Sequence, residues 1–133
     1  MKRAALLLLV VMLLPGASAQ AREKNAPPRT KVTATLTSES TPRRSAEYLI
    51  RVDAMDPDGH ITEIAVEFGD GAMVWLLLAC DPEDPQGTPA TQELSWSYAP
   101  GQYTVRSWAY SSPDCFSGPF QQSRPGVAHL SVL

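Results

Sequence analysis

Two turn motifs constrain this chain more than anything else in it. Glu67-Phe68-Gly69-Asp70-Gly71 reads as a strand running into a tight Gly-Asp-Gly turn. Tyr98-Ala99-Pro100-Gly101-Gln102-Tyr103-Thr104-Val105 reads as a Pro-Gly turn that launches a new strand. Gly and Asp hold tight turns because Gly accepts positive φ and an Asp carboxylate accepts hydrogen bonds from nearby turn amides. The segments around both turns alternate apolar and polar residues with a period of two, the pattern of a half-buried strand. No stretch after the N-terminal apolar run shows a helical repeat.

The alternation defines about seven strands. Lys31–Thr37 sets Val32, Ala34 and Leu36 on one face. Glu47–Ala54 points Tyr48, Ile50, Val52 and Ala54 inward. Ile61–Phe68 does the same with Ile64, Val66 and Phe68. Met73–Cys80 is apolar on both faces, as in a strand buried on both sides or one with an exposed apolar face. Thr91–Tyr98, Tyr103–Tyr110 and Val127–Val132 complete the set, and Ser111–Pro125 reads as a long loop. About seven short strands with frequent turns predict an all-β, immunoglobulin-like sandwich of two antiparallel sheets.

The N-terminus bears on the compartment. Lys2-Arg3, the apolar run Ala4–Leu14, the Pro15-Gly16 break and Ala17-Ser18-Ala19 match a signal peptide over residues 1–19. The run is shorter than the roughly 20 apolar residues of a membrane span. Residues 20–29, with Pro27-Pro28, read as a polar tether, and residues 30–133 as the domain. Cleavage would leave nine basic against fourteen acidic residues. A mildly acidic surface argues against a nucleic-acid partner.

In a secreted chain, two cysteines default to a disulfide. Cys80 and Cys115 each follow the end of a strand that pairs with Ile61–Phe68. Those ends lie together, so the spacing is consistent with a bond. The chain-entropy model gives such a link about 3–4 kcal/mol.

The motifs resemble those of the polycystic-kidney-disease (PKD) type domain, an extracellular immunoglobulin-like sandwich. The matching residues are Asp56-Pro57-Asp58-Gly59, Phe68-Gly69-Asp70-Gly71 and Trp96-Ser97-Tyr98-Ala99-Pro100-Gly101-Gln102-Tyr103-Thr104-Val105. The likeness covers Tyr48–Leu133. Ile64 and Val66 stand where the family carries Tyr and Trp, and the Met73–Cys80 run and the cysteines are not family features. The resemblance implies structural roles for Asp58, Gly59, Gly69, Asp70, Gly71, Pro100 and Gly101. It also implies a corner in which Tyr98 or Tyr103 ties its hydroxyl to backbone. It implies no catalysis.

The remaining chemistry is sparse. Asp56, Asp58 and Asp70 are hard oxygen donors that could suit calcium, with Asp81, Glu83 or Asp84 as helpers, but the spacing is not that of an EF-hand. No other cofactor or metal is expected. His60 and His129 read as surface residues without a nucleophile partner. The best binding feature is aromatic. Trp108 and Tyr110 lie opposite the Tyr103/Val105 face, and Trp75 extends them across the same sheet. If the 111–125 loop leaves that face open, the rings suit an extracellular protein or, alternatively, a glycan. The expected function is a secreted, non-enzymatic interaction module.

Overall fold

The computed structural model describes residues 26–42 and 44–133. The expected signal peptide and most of the expected tether lie outside them. Among these residues eight strands follow in order: β1 (Arg29–Ser38), β2 (Ala46–Met55), β3 (His60–Glu67), β4 (Met73–Leu77), β5 (Ala90–Tyr98), β6 (Gly101–Ser112), β7 (Gln121–Gln122) and β8 (Gly126–Val132). A three-stranded sheet runs β1-β2-β5. A five-stranded sheet runs β4-β3-β6, with β7 and β8 both pairing β6. Every pairing is antiparallel, and the two sheets stack as a sandwich.

The core comes from the inner faces that the alternation implied. Tyr48, Ile50, Val52 and Ala54 of β2 face Ile64 and Val66 of β3 and Val105 and Ala109 of β6, all buried. Ile64 and Val66, the departures from the PKD pattern, are fully buried apolar residues and fill the layer without rings. Burying an aliphatic side chain of this size contributes about 1.5–3 kcal/mol. Where β1 meets β8, the core turns polar. Ser107 is fully buried and its hydroxyl meets that of Thr30 at 2.9 Å.

A corner of hydrogen bonds and rings locks the β3–β4 turn to β5. The Tyr98 hydroxyl donates to the Phe68 carbonyl at 3.0 Å, and the Tyr103 hydroxyl donates to the Ala99 carbonyl at 2.7 Å. Both tyrosines thus make the backbone tie. Burial, and then the nearby Asp70 carboxylate, push the Tyr98 hydroxyl well above its ordinary pKa, so it stays a donor. Phe68 stacks on Trp96 with centroids 3.8 Å apart and planes 6° apart. Asp70 closes the turn: one carboxylate oxygen accepts from the Ala72 amide, the other from the Trp96 indole N–H.

Gly69 and Gly71 both take positive φ, 86° and 95°, but their surroundings differ. A Cβ on Gly69 would sit 2.5 Å from the Thr104 carbonyl oxygen, whereas one on Gly71 would meet nothing within 4 Å. Gly71→Ala therefore carries only the left-handed backbone cost, about 1–2 kcal/mol. Gly69→Ala is expected to lose roughly 1–3 kcal/mol more, because backbone must move to relieve the overlap. Parallel denaturation curves check this; equal losses would mean that the Thr104 backbone yields freely.

Several boundaries differ from the sequence reading. Pro28 is buried and Arg29 already pairs with Met55, so the sandwich begins inside the segment expected to be tether. Leu36 is exposed, because β1 bulges between Leu36 and Ser38 as it leaves the sheet. β4 stops at Leu77, although the Leu78 amide still bonds the Thr62 carbonyl. The expected 111–125 loop is partly strand, since β6 runs to Ser112 and β7 pairs Gln121 and Gln122 with Ser111 and Tyr110.

Candidate functional site

Antiparallel register assembles the outer face of the five-stranded sheet. Ala65 of β3 lies opposite Trp75 of β4 on one side and Trp108 of β6 on the other. Ala65 is fully buried although it faces outward, as expected of a methyl between two indoles. One step along, Glu63 lies between Leu77 and Tyr110; one step the other way, Glu67 lies between Met73 and Arg106. The Glu67 and Arg106 side chains pair at 3.7 Å. Trp75, Trp108 and Tyr110 therefore share one face, with Trp75 and Tyr110 in direct ring contact at 5.3 Å.

This face is open to solvent on the β4 side. Trp75 is 54% exposed and Leu77 81%. Trp108 and Tyr110, nearer the middle of the sheet, are half-buried. Partial burial, and then the neighbouring Glu63 carboxylate, raise the Tyr110 hydroxyl pKa. The segment after β6 leaves Trp75 more than half exposed. It adds Phe116 and Phe120, both largely exposed, to a groove of about 610 Å³ with Leu77, Tyr110 and Glu63. Sequence reading missed these two phenylalanines, because a loop has no periodicity to show which way a side chain turns.

Cys80 and Cys115 are bonded, with Cα atoms 5.7 Å apart. The bond anchors the 113–120 segment to the end of β4. Asp114 shapes that segment. Its carboxylate accepts from the Ser117 hydroxyl and from the Ser117 and Phe116 amides, and these bonds hold its pKa well below the usual carboxylate range.

The other donors are dispersed or occupied. Asp56 is buried and accepts from the Asp58 amide at 3.0 Å, while Asp58 accepts from the Ala26 amide. A Cβ on Gly59 would lie 2.8 Å from the Asp56 carboxylate, so this turn admits little more than glycine. Asp70 lies beyond the far end of β3, on the order of 25 Å of extended chain away. The three aspartates therefore do not converge as calcium ligands. The Asp81 carboxylate is taken up by the Glu83 amide.

His60 is buried rather than a surface residue, because it opens β3 beneath the disulfide and pairs with Ser112. Its imidazole, Cys80 and Cys115 have ligating atoms within 4.8 Å of one another. With the two sulfurs joined, only the imidazole remains a good metal ligand. His129 is exposed, and its Nδ1 lies 3.1 Å from the Thr104 hydroxyl near the opposite end of β6. The histidines thus do not converge on one cleft.

Comparison with protein-family models and with curated proteins returns no match. Comparison with solved structures finds the PKD domain of an M14-like peptidase from Thermoplasmatales archaeon SCGC AB-540-F20. That match has a TM-score of 0.55 at 22% identity, over 81% of this chain and 97% of that one. The chain has a PKD-type fold. This PKD-like sandwich is a divergent one, and it carries a disulfide just beyond its β4 strand.

Proposed function

We propose that this PKD-like domain is a secreted, non-enzymatic interaction module. It engages an extracellular protein or surface through the outer face around Trp75, Trp108 and Tyr110. The observation that carries the reading is Trp75, more than half exposed, against Tyr110, which lines one groove with the exposed Leu77, Phe116 and Phe120. Large apolar side chains clustered in this way mark interaction surfaces more often than scattered ones do. The disulfide and the signal-like N-terminus support an oxidising, extracellular compartment. A PKD-type fold also occurs as one domain of a larger peptidase, which fits a module that assists rather than reacts.

The glycan alternative is less favoured. Sugar stacking wants coplanar open rings, and Trp75 and Tyr110 are tilted 34° to each other and spend area on one another. The test is capture from native extracellular fluid on immobilised protein. Tyr110→Ala should lose the retained partner, and Arg51→Ala, on the exposed face of the other sheet, should keep it. Retention by both variants would remove this face from consideration. Release by simple sugars would restore the glycan reading.

A further inference from the structure

The free edge of β4 is a second feature of the same sheet, and it acts through backbone rather than side chains. The Leu78 amide donates to the Thr62 carbonyl and the Phe68 amide donates to the Ala72 carbonyl, each at 3.0 Å. In an antiparallel ladder, hydrogen-bonded positions alternate along a strand. Residues 72, 74, 76 and 78 therefore turn their amides and carbonyls toward β3. Met73, Trp75 and Leu77 turn theirs toward the open edge, since among the described residues β4 pairs only with β3. The same three residues carry their side chains on the exposed outer face.

Natural sheets blunt such edges with charge, proline or cover. The other long edge strands show these devices. β1 carries Arg29 and Lys31 and lies against β8, and β5 carries Glu93. β4 has none: residues 71–80 contain no ionisable side chain apart from the disulfide-bonded Cys80, and no proline.

We propose that β4 pairs with β4 of a second copy of this chain, antiparallel about a two-fold axis at Trp75. That register sets Trp75 against Trp75 of the other copy and Met73 against its Leu77. It joins positions whose amides already face outward on both sides, so each amide meets a carbonyl. It also places apolar side chains together on one continuous outer face. A two-fold contact brings each residue to its own kind or to a fixed counterpart, and a strand without charge meets itself without repulsion. Packing the two outer faces against each other is the competing arrangement. It would bury Glu63, which makes no ion pair among the described residues, and a buried unpaired carboxylate is costly. Edge pairing leaves Glu63 in water. Five residues of edge bury less than the roughly 1,200 Å² at the lower end of standard interfaces, so the dimer should be reversible.

Sedimentation equilibrium of the purified protein across about 1–500 µM tests this. The expected result is a monomer–dimer equilibrium with a Kd of roughly micromolar order. Trp75→Lys and Trp75→Glu should each weaken it at least about tenfold, because like charges then face each other at the axis. An equimolar mixture of the two variants should recover the dimer, which only a contact of residue 75 with its own counterpart can do. A strictly monomeric wild type overturns the proposal. So does a dimer indifferent to both substitutions, or a mixture that stays monomeric while each variant melts as a folded protein. A monomer that instead takes up an unrelated apolar peptide along β4 would assign the edge to another protein's strand, and also overturns it. A strictly monomeric wild-type protein that still captures its extracellular partner would leave the proposed function standing.

Discussion

Phe68→Ala is expected to remove about 3–5 kcal/mol of stability. Phe68 is 1% exposed and stacks flat on Trp96, whose indole N–H is in turn held by Asp70. Its carbonyl accepts the Tyr98 hydroxyl, so the ring is fixed from both sides of the corner. Truncation would open a cavity, lose the ring stack and free the corner in one step. At about 4 °C or more per kcal/mol for a domain of this size, the melting midpoint should fall by at least about 12 °C. Phe68→Leu keeps most of the volume and should lose far less. A small shift for the alanine variant would mean that Trp96 collapses into the space.

The second large effect belongs to the disulfide. Replacing both Cys80 and Cys115 with serine should lower stability by about 3–4 kcal/mol, because the bond closes a loop across a sequence separation of 35 residues. The damage should also be local. His60 lies beneath the bond, and Phe116 and Phe120 sit on the segment it anchors. Hydrogen exchange should therefore rise first in residues 112–120 and at the start of β3, while the β2–β5 ladder stays protected. A double variant with wild-type melting would show that the Asp114 bonds hold the segment unaided.

Much of this was legible from alternation. Tyr48, Ile50, Val52 and Ala54 announced the inner face of β2. The antiparallel order of β3, β4 and β6 placed both cysteines at one end, where they are bonded. The parts that were not legible depend on what lies above a residue rather than on its spacing. His60 looks like a surface residue until the disulfide closes over it. Gln121-Gln122 has no strand signal, because two residues cannot alternate. Asp56 reads as a hard oxygen donor that could suit calcium, yet it is buried with its carboxylate turned to the Asp58 amide. The outer face was half legible. Parity put Trp75, Trp108 and Tyr110 together, but only the path of the 113–120 segment decides whether they are covered.

The central claim is that this outer face is an exposed binding surface, and Trp108→Ala measured two ways tests it most directly. Trp108 sits mid-sheet beside Ala65 and away from the β4 edge, so its truncation separates face binding from edge pairing. The account predicts a melting shift well below that of Phe68→Ala, together with partner retention reduced about thirtyfold, as truncating an aromatic anchor worth about 2 kcal/mol would give. A Trp108→Ala protein that melts as early as Phe68→Ala, or that keeps its partner undiminished, would contradict it.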